Sequence, residues 1–184
     1  KYNIECLDEI YFALFILDIL STNNYDEILF LGDGAGLLAP IIVDLNHFLL
    51  KKFQCKYRIV DFCHFSLATL LRIDMQSDIK IEITLPEMIH EFNNNKVLSG
   101  KLPKCSGKRL IVNQDSFPEM SDISLKTYLT NTALSTDVIS YNQDNLEVGH
   151  SKYMDIMNKL GYKSSYIKPS IMRDNYIISY HQIY

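Results

Sequence analysis

Five times along the chain a short apolar run is followed by a segment of helical periodicity. The runs are "EILFL" (27–31), "YRIVDF" (57–62), "KIEITL" (80–85), "RLIVNQ" (109–114) and "DVISYNQ" (137–143). All five read as strands: "EILFL" is continuously apolar, as a strand buried on both faces should be, whereas "KIEITL" alternates and ends at Pro86. The intervening segments 37–53, 66–74, 86–92, 119–134 and 149–160 read as helices, and a further helix over 5–20 precedes the first run. Strands alternating with helices pack as a mostly parallel sheet with helices on both faces. The last two strand-like runs, 162–168 and 175–184, have no helix between them, so the chain closes with a hairpin that adds an antiparallel strand. The predicted fold class is therefore α/β, Rossmann-like, with a seven-stranded mostly parallel sheet and a C-terminal antiparallel strand.

Length and composition narrow the function. A chain of 184 residues that is 47% hydrophobic is one domain with an ample core. The formal net charge of −4, with no basic cluster denser than Lys51-Lys52 or Lys108-Arg109, argues against a nucleic-acid partner. Cys6, Cys55, Cys63 and Cys105 form no CxxC pair, which points away from zinc and from a disulfide scaffold and towards a cytoplasmic protein. The most apolar stretch, 10–20, is too short to span a bilayer and carries Asp18, so no membrane span is expected. The sequence opens on Lys1 rather than Met, from which a missing N-terminal segment is expected. Oligomeric state is not readable.

The first strand runs into Gly32, Asp33, Gly34, Ala35 and Gly36. Glycines where a parallel strand turns into a helix allow unusual dihedrals and bring backbone amides close to a ligand. Asp61, ending the second strand, is placed to accept hydrogen bonds from ribose hydroxyls, and the two features together point to a nucleotide-like cofactor. Gly34, Gly36 and Ala39 also satisfy GxGxxA, so an NAD-binding domain stays open on the loop alone.

The single series of strands and helices closed by a hairpin resembles the class I S-adenosylmethionine (SAM) methyltransferases. More narrowly, "FLGDGAGLLA" (30–39), "YRIVDFCHFSLATLLRI" (57–73) and "RLIVNQDSFPEM" (109–120) resemble three blocks of the sugar O-methyltransferase family of bacterial polysaccharide clusters. Asn113, Ser116, Phe117, Glu119 and Met120 carry the most specific part of that likeness. Two positions depart from it: Phe30 and Arg109 stand where the family pattern has acids. The resemblance implies that Gly32, Gly34 and Gly36 line the methionine part of SAM, with Asp33 substituting for the acid missing before the first glycine. It implies Asp61 on the ribose, Phe62 beside the adenine, Thr84 and Leu85 bordering the base, and Asn113 to Glu119 facing the transferred methyl.

Methyl transfer to a sugar hydroxyl needs alignment and a base to take the hydroxyl proton. Asp115, Glu119 and His150 are the candidate bases, and Glu119 is favoured because it follows the fourth strand directly. Its alternative is an acid at a helix start capped by Ser116. Ser116, Asn142 and Gln143 are candidate partners for a sugar or sugar nucleotide. The acids Asp115, Glu119 and Asp122 lie close in sequence, yet no metal ligand is named. The expected activity is SAM-dependent O-methylation of a sugar in surface polysaccharide biosynthesis. The alternatives are methylation of another small metabolite, an inactive methyltransferase-like module, or NAD binding.

Overall fold

The computed structural model describes residues 7–32, 37–49, 53, 55–61, 81–86, 91–93, 96–98, 102–130, 133–143 and 150–183. The expected helix over 66–74 lies outside the described residues, as do Asp33, Gly34, Gly36 and Phe62.

Seven strands form one sheet. In chain order the elements are α1 (Leu7–Thr22), β1 (Glu27–Leu31), α2 (Leu38–Phe48), β2 (Lys56–Val60), β3 (Ile81–Thr84), β4 (Glu91–Asn93), β5 (Lys96–Leu98) and β6 (Lys108–Gln114). A 3-10 turn (Phe117–Glu119), α3 (Asp122–Leu129), β7 (Ser135–Gln143), α4 (His150–Lys159), β8 (Tyr162–Pro169) and β9 (Tyr176–Ile183) follow. The sheet order is β3-β2-β1-β6-β7-β9-β8. β3, β2, β1, β6 and β7 pair in parallel, whereas β9 lies antiparallel between β7 and β8. The expected α/β class and closing antiparallel strand are both present.

The alternation of side chains along each strand feeds two cores. On one face Ile28, Phe30, Ile59, Val112, Ile139 and Tyr141 pack under α1 and α2. On the other, Leu29, Leu31, Val60, Ile111 and Val138 pack under α3 and α4 through Leu125, Leu129, Tyr153 and Met157. Burial of all five residues of β1 explains why its sequence is apolar at every position but the first.

Local chemistry sets the helix ends. Ser121 caps α3 by accepting the Ser124 N–H at 3.2 Å, and Gly161 ends α4 at φ +91°. Three boundaries differ from expectation. The helix expected over 119–134 divides at Met120, whose extended backbone ends the 3-10 turn, so Glu119 belongs to that turn and not to α3. The helix expected over 86–92 gives way at Glu91 to β4, which pairs with β5 inside the segment 93–108 read as an exposed loop. In that segment Leu102 is also buried against the α3 side of the sheet. Short pairings of this kind carry no period strong enough to stand out from loop composition.

Candidate functional site

The carboxyl ends of β2, β1, β6 and β7 lie side by side and bring together residues from four separate parts of the sequence. Gly32 leaves β1 at φ +66°, with its N–H on the Val60 carbonyl at 3.0 Å. A Cβ at Gly32 would overlap the Ser116 hydroxyl and lie 2.6 Å from the Ser116 Cβ. The first glycine is therefore required twice, by backbone conformation and by a close approach. Beside it, Asp61 follows β2 and is 7% exposed.

Asn113 and Ser116 are braces for this turn. The Asn113 amide Nδ2 donates to the Leu31 carbonyl at 2.8 Å and to the Ser116 hydroxyl, while its Oδ1 accepts the Phe117 N–H at 3.2 Å. Ser116 Oγ donates in turn to the Leu31 carbonyl at 3.1 Å. Ser116 thus makes no side-chain cap for the turn it precedes, contrary to the capping alternative for the Glu119 helix start. Thr84 ends β3, and its hydroxyl accepts from Arg58 Nη1 at 2.8 Å; Leu85 follows it, partly buried.

Asp115 stands at the end of β6 with φ +60°, a conformation that Asp tolerates better than most residues. Its N–H donates to the Tyr141 carbonyl at 3.0 Å, which fixes the backbone against β7. The Oδ2 atom accepts from the Tyr176 hydroxyl at 3.2 Å and from Arg173 Nη1 at 3.4 Å. Burial pushes the Asp115 carboxyl above its ordinary value; the Tyr176 hydroxyl, Arg173 and the Gln143 backbone N–H draw it back, and Glu119 pushes it up. A carboxylate that is 39% exposed, half-desolvated and held by hydrogen bonds is suited to taking a proton.

Glu119 is exposed, with its N–H on the Ser116 carbonyl at 3.2 Å. His150 opens α4, and its side chain lies outside the described residues. Gln143 is exposed at the end of β7. Asn142 is fully buried, and neither its Oδ1 nor its Nδ2 has a hydrogen-bond partner. An amide in that state costs about 1–3 kcal/mol.

The closing β8–β9 hairpin is as expected from the sequence, but two of its residues, Arg173 and Tyr176, reach Asp115 and were not among the candidate site residues. Arg173 donates from Nε to Asp8 Oδ2 at 2.5 Å and lies 4.8 Å above the Tyr176 ring, which packs 5.1 Å from the Tyr141 ring. The only sequence signal was topological: an antiparallel strand returning to β7 must bring its first residues to the end of β7. Among the described residues no group of three or more His, Cys, Asp or Glu side chains is arranged to hold a metal, and no helix is long and apolar enough to cross a membrane.

No protein-family model and no curated protein matches this sequence. Solved structures do match the fold. A SAM-dependent methyltransferase from Aquifex aeolicus superposes with a TM-score of 0.65 at 13% identity, over 99% of this chain and 94% of that one. One from Clostridium acetobutylicum gives 0.63 at 12% identity, over 94% and 90%. The CMeT domain of the citrinin polyketide synthase gives 0.65 at 14% identity, with 95% of this chain covering 52% of that chain. Strand order, the antiparallel β9 and these superpositions agree: the chain has the fold of the class I SAM-dependent methyltransferases.

Proposed function

We propose that the chain is a SAM-dependent methyltransferase that transfers a methyl group to a hydroxyl oxygen, with Asp115 as the acceptor-side base. The observation that carries the reading is the adjacency of two differently built halves of the carboxyl edge. Gly32 and Asp61 form one half, and Asp115 directly follows β6, the strand next to β1.

The residues present fit the cofactor. A carboxylate ending β2 is suited to a ribose diol, and a glycine at φ +66° ends β1 without a side chain beside the site. Gly32, with Asp33, Gly34 and Gly36 that follow it in the sequence, would hold the methionine part; Asp61 would hold the ribose; Phe62, Thr84 and Leu85 would flank the adenine. SAM supplies an electrophilic methyl on a sulfonium. Asn113 and Ser116 act by holding the β1 turn in shape, because their polar atoms are engaged with Leu31, Phe117 and each other.

On the acceptor side, Asp115 takes the hydroxyl proton as the new C–O bond forms. The Asn142 amide offers a donor and an acceptor to the substrate, and Gln143 stands at the rim. Fixed placement of such groups is worth on the order of 7–11 kcal/mol of barrier. Glu119 acts indirectly in this reading, as the negative charge that raises Asp115. His150 is the base to test next.

A sugar or sugar-nucleotide acceptor in polysaccharide biosynthesis is the finer form of the proposal. It is supported by the Asn113 to Met120 block and its two flanking blocks. The test is methyl transfer from labelled SAM to a panel of sugars, sugar nucleotides and phenols by wild type and Asp115→Asn. A loss of at least about 100-fold on Asp115→Asn supports the base; full turnover by that variant transfers the role to His150 or Glu119.

A further inference from the structure

Arg173 is shared between two acids, and the sharing is unequal. Its Nε lies 2.5 Å from Asp8 Oδ2 on α1, whereas its Nη1 lies 3.4 Å from Asp115 Oδ2. The turn carrying Arg173 is fixed: Ser170 Oγ accepts the N–H groups of Met172 and Arg173 at 3.0 and 3.1 Å and shares a hydrogen bond with the Tyr141 hydroxyl at 2.9 Å. The guanidinium rests on the Tyr176 ring, whose hydroxyl donates to the same Asp115 oxygen. Asp115 is therefore faced by Asp8 from α1 through Arg173, by Glu119 from the 3-10 turn, by Tyr141 from β7, and by Arg173 and Tyr176 from the hairpin.

A base of this kind has opposing needs. A cation nearby keeps it ionised when it is half-desolvated, but a close, two-pronged pairing with Arg makes it too weak to accept a proton. The tighter bond to Asp8 leaves Asp115 the weaker share of the guanidinium.

We propose that Asp8 is a positioning residue for Asp115: by holding Arg173 at the longer distance, it keeps Asp115 able to take a proton from the acceptor. The inference rests on the reading of Asp115 as base, but its test needs no acceptor. Loss of the cation in Arg173→Gln raises the proton affinity of Asp115. In Asp8→Asn the freed guanidinium turns to Asp115 and lowers it. Because Asp8 acts through Arg173, Asp8→Asn added to Arg173→Gln changes little.

The experiment is a carbon-13 titration of the Asp115 side-chain carboxyl in the full chain, with the signal assigned by its absence in Asp115→Asn. The midpoint is expected to rise by about one pH unit in Arg173→Gln, to fall by about one in Asp8→Asn, and to return to wild type in Asp8→Glu. The double variant is expected to match Arg173→Gln. Shifts of the same sign in both single variants, an unmoved midpoint in Asp8→Asn, or an Asp8→Asn effect of full size without Arg173 would overturn the proposal. Unimpaired methyl transfer by Asp115→Asn would instead remove Asp115 as base and leave the titration result standing.

Discussion

The two ends of the sheet are built on opposite principles. Among the described residues, every buried charge at the amino end has a partner. Glu27, 2% exposed, receives Arg109 Nε at 2.6 Å and Arg58 Nε at 3.2 Å, and Arg58 continues to Glu82 at 2.8 Å. Asp137, 1% exposed, takes hydrogen bonds from Tyr25 at 2.5 Å and Tyr180 at 2.7 Å, and pairs with Lys108 at 2.8 Å. At the carboxyl end lie the positive φ angles of Gly32, Asp115 and Asn175, a half-exposed carboxylate and an amide with nothing to bind. Paired charge at one end stands against strained backbone and a half-exposed carboxylate at the other, the end the proposed reaction would use.

The largest effect should come from breaking the closed end. Arg109→Met leaves Glu27 buried beside Arg58 alone, and removal of one partner from a buried pair costs about 3–5 kcal/mol; a denaturant midpoint reads this directly. If that variant keeps wild-type stability, the amino end is not the lock described. Next comes Gly32→Ala, which must adopt φ +66° and displace Ser116. Left-handed backbone costs an alanine about 1–2 kcal/mol before any clash, and S-adenosylhomocysteine binding should fall with stability. An alanine here that binds normally would mean that the turn is not a close approach.

Substitutions at the open end should separate function from stability. Asn142→Leu removes two unsatisfied buried polar atoms, so stability should hold or rise by about 1 kcal/mol while acceptor turnover drops. A destabilised Asn142→Leu would reveal a structural partner instead. The smallest change is expected for Asp115→Asn, which keeps a residue that tolerates φ +60° and should stay within about 0.5 kcal/mol of wild type. The sign with pH follows from the raised carboxyl: the folded state binds the proton more tightly than the unfolded one. Asp115 therefore takes stability away as pH rises through its folded midpoint, and Asp115→Asn should flatten that part of the pH–stability curve.

The fold was legible because burial wrote itself into composition. β1 is an apolar run with both faces covered, and Gly161 marks a helix end by the one residue that meets its φ at no cost. Gly32 and Asp61, the residues proposed for the cofactor, could be placed from the sequence for a similar reason, since they sit at fixed offsets from their strands. The side proposed for the acceptor was less legible. Asp115 was recognised as a candidate but ranked below Glu119, because its φ and its grip by Tyr176 and Arg173 depend on contacts 58 to 61 residues away in sequence. Asp8 and Arg173 meet only when α1 and the hairpin are both folded, and no local period records that. Asn113 and Ser116 were read as ligand-facing, although their hydrogen bonds point into the β1 turn.

The central claim is that the carboxyl edge of this sheet holds SAM. Calorimetric titration of the full chain with S-adenosylhomocysteine and, separately, with NAD tests it most directly. Micromolar binding of the first, weakened at least about tenfold by Asp61→Ala, and no binding of the second are expected. Binding of NAD, or of neither ligand, would contradict it.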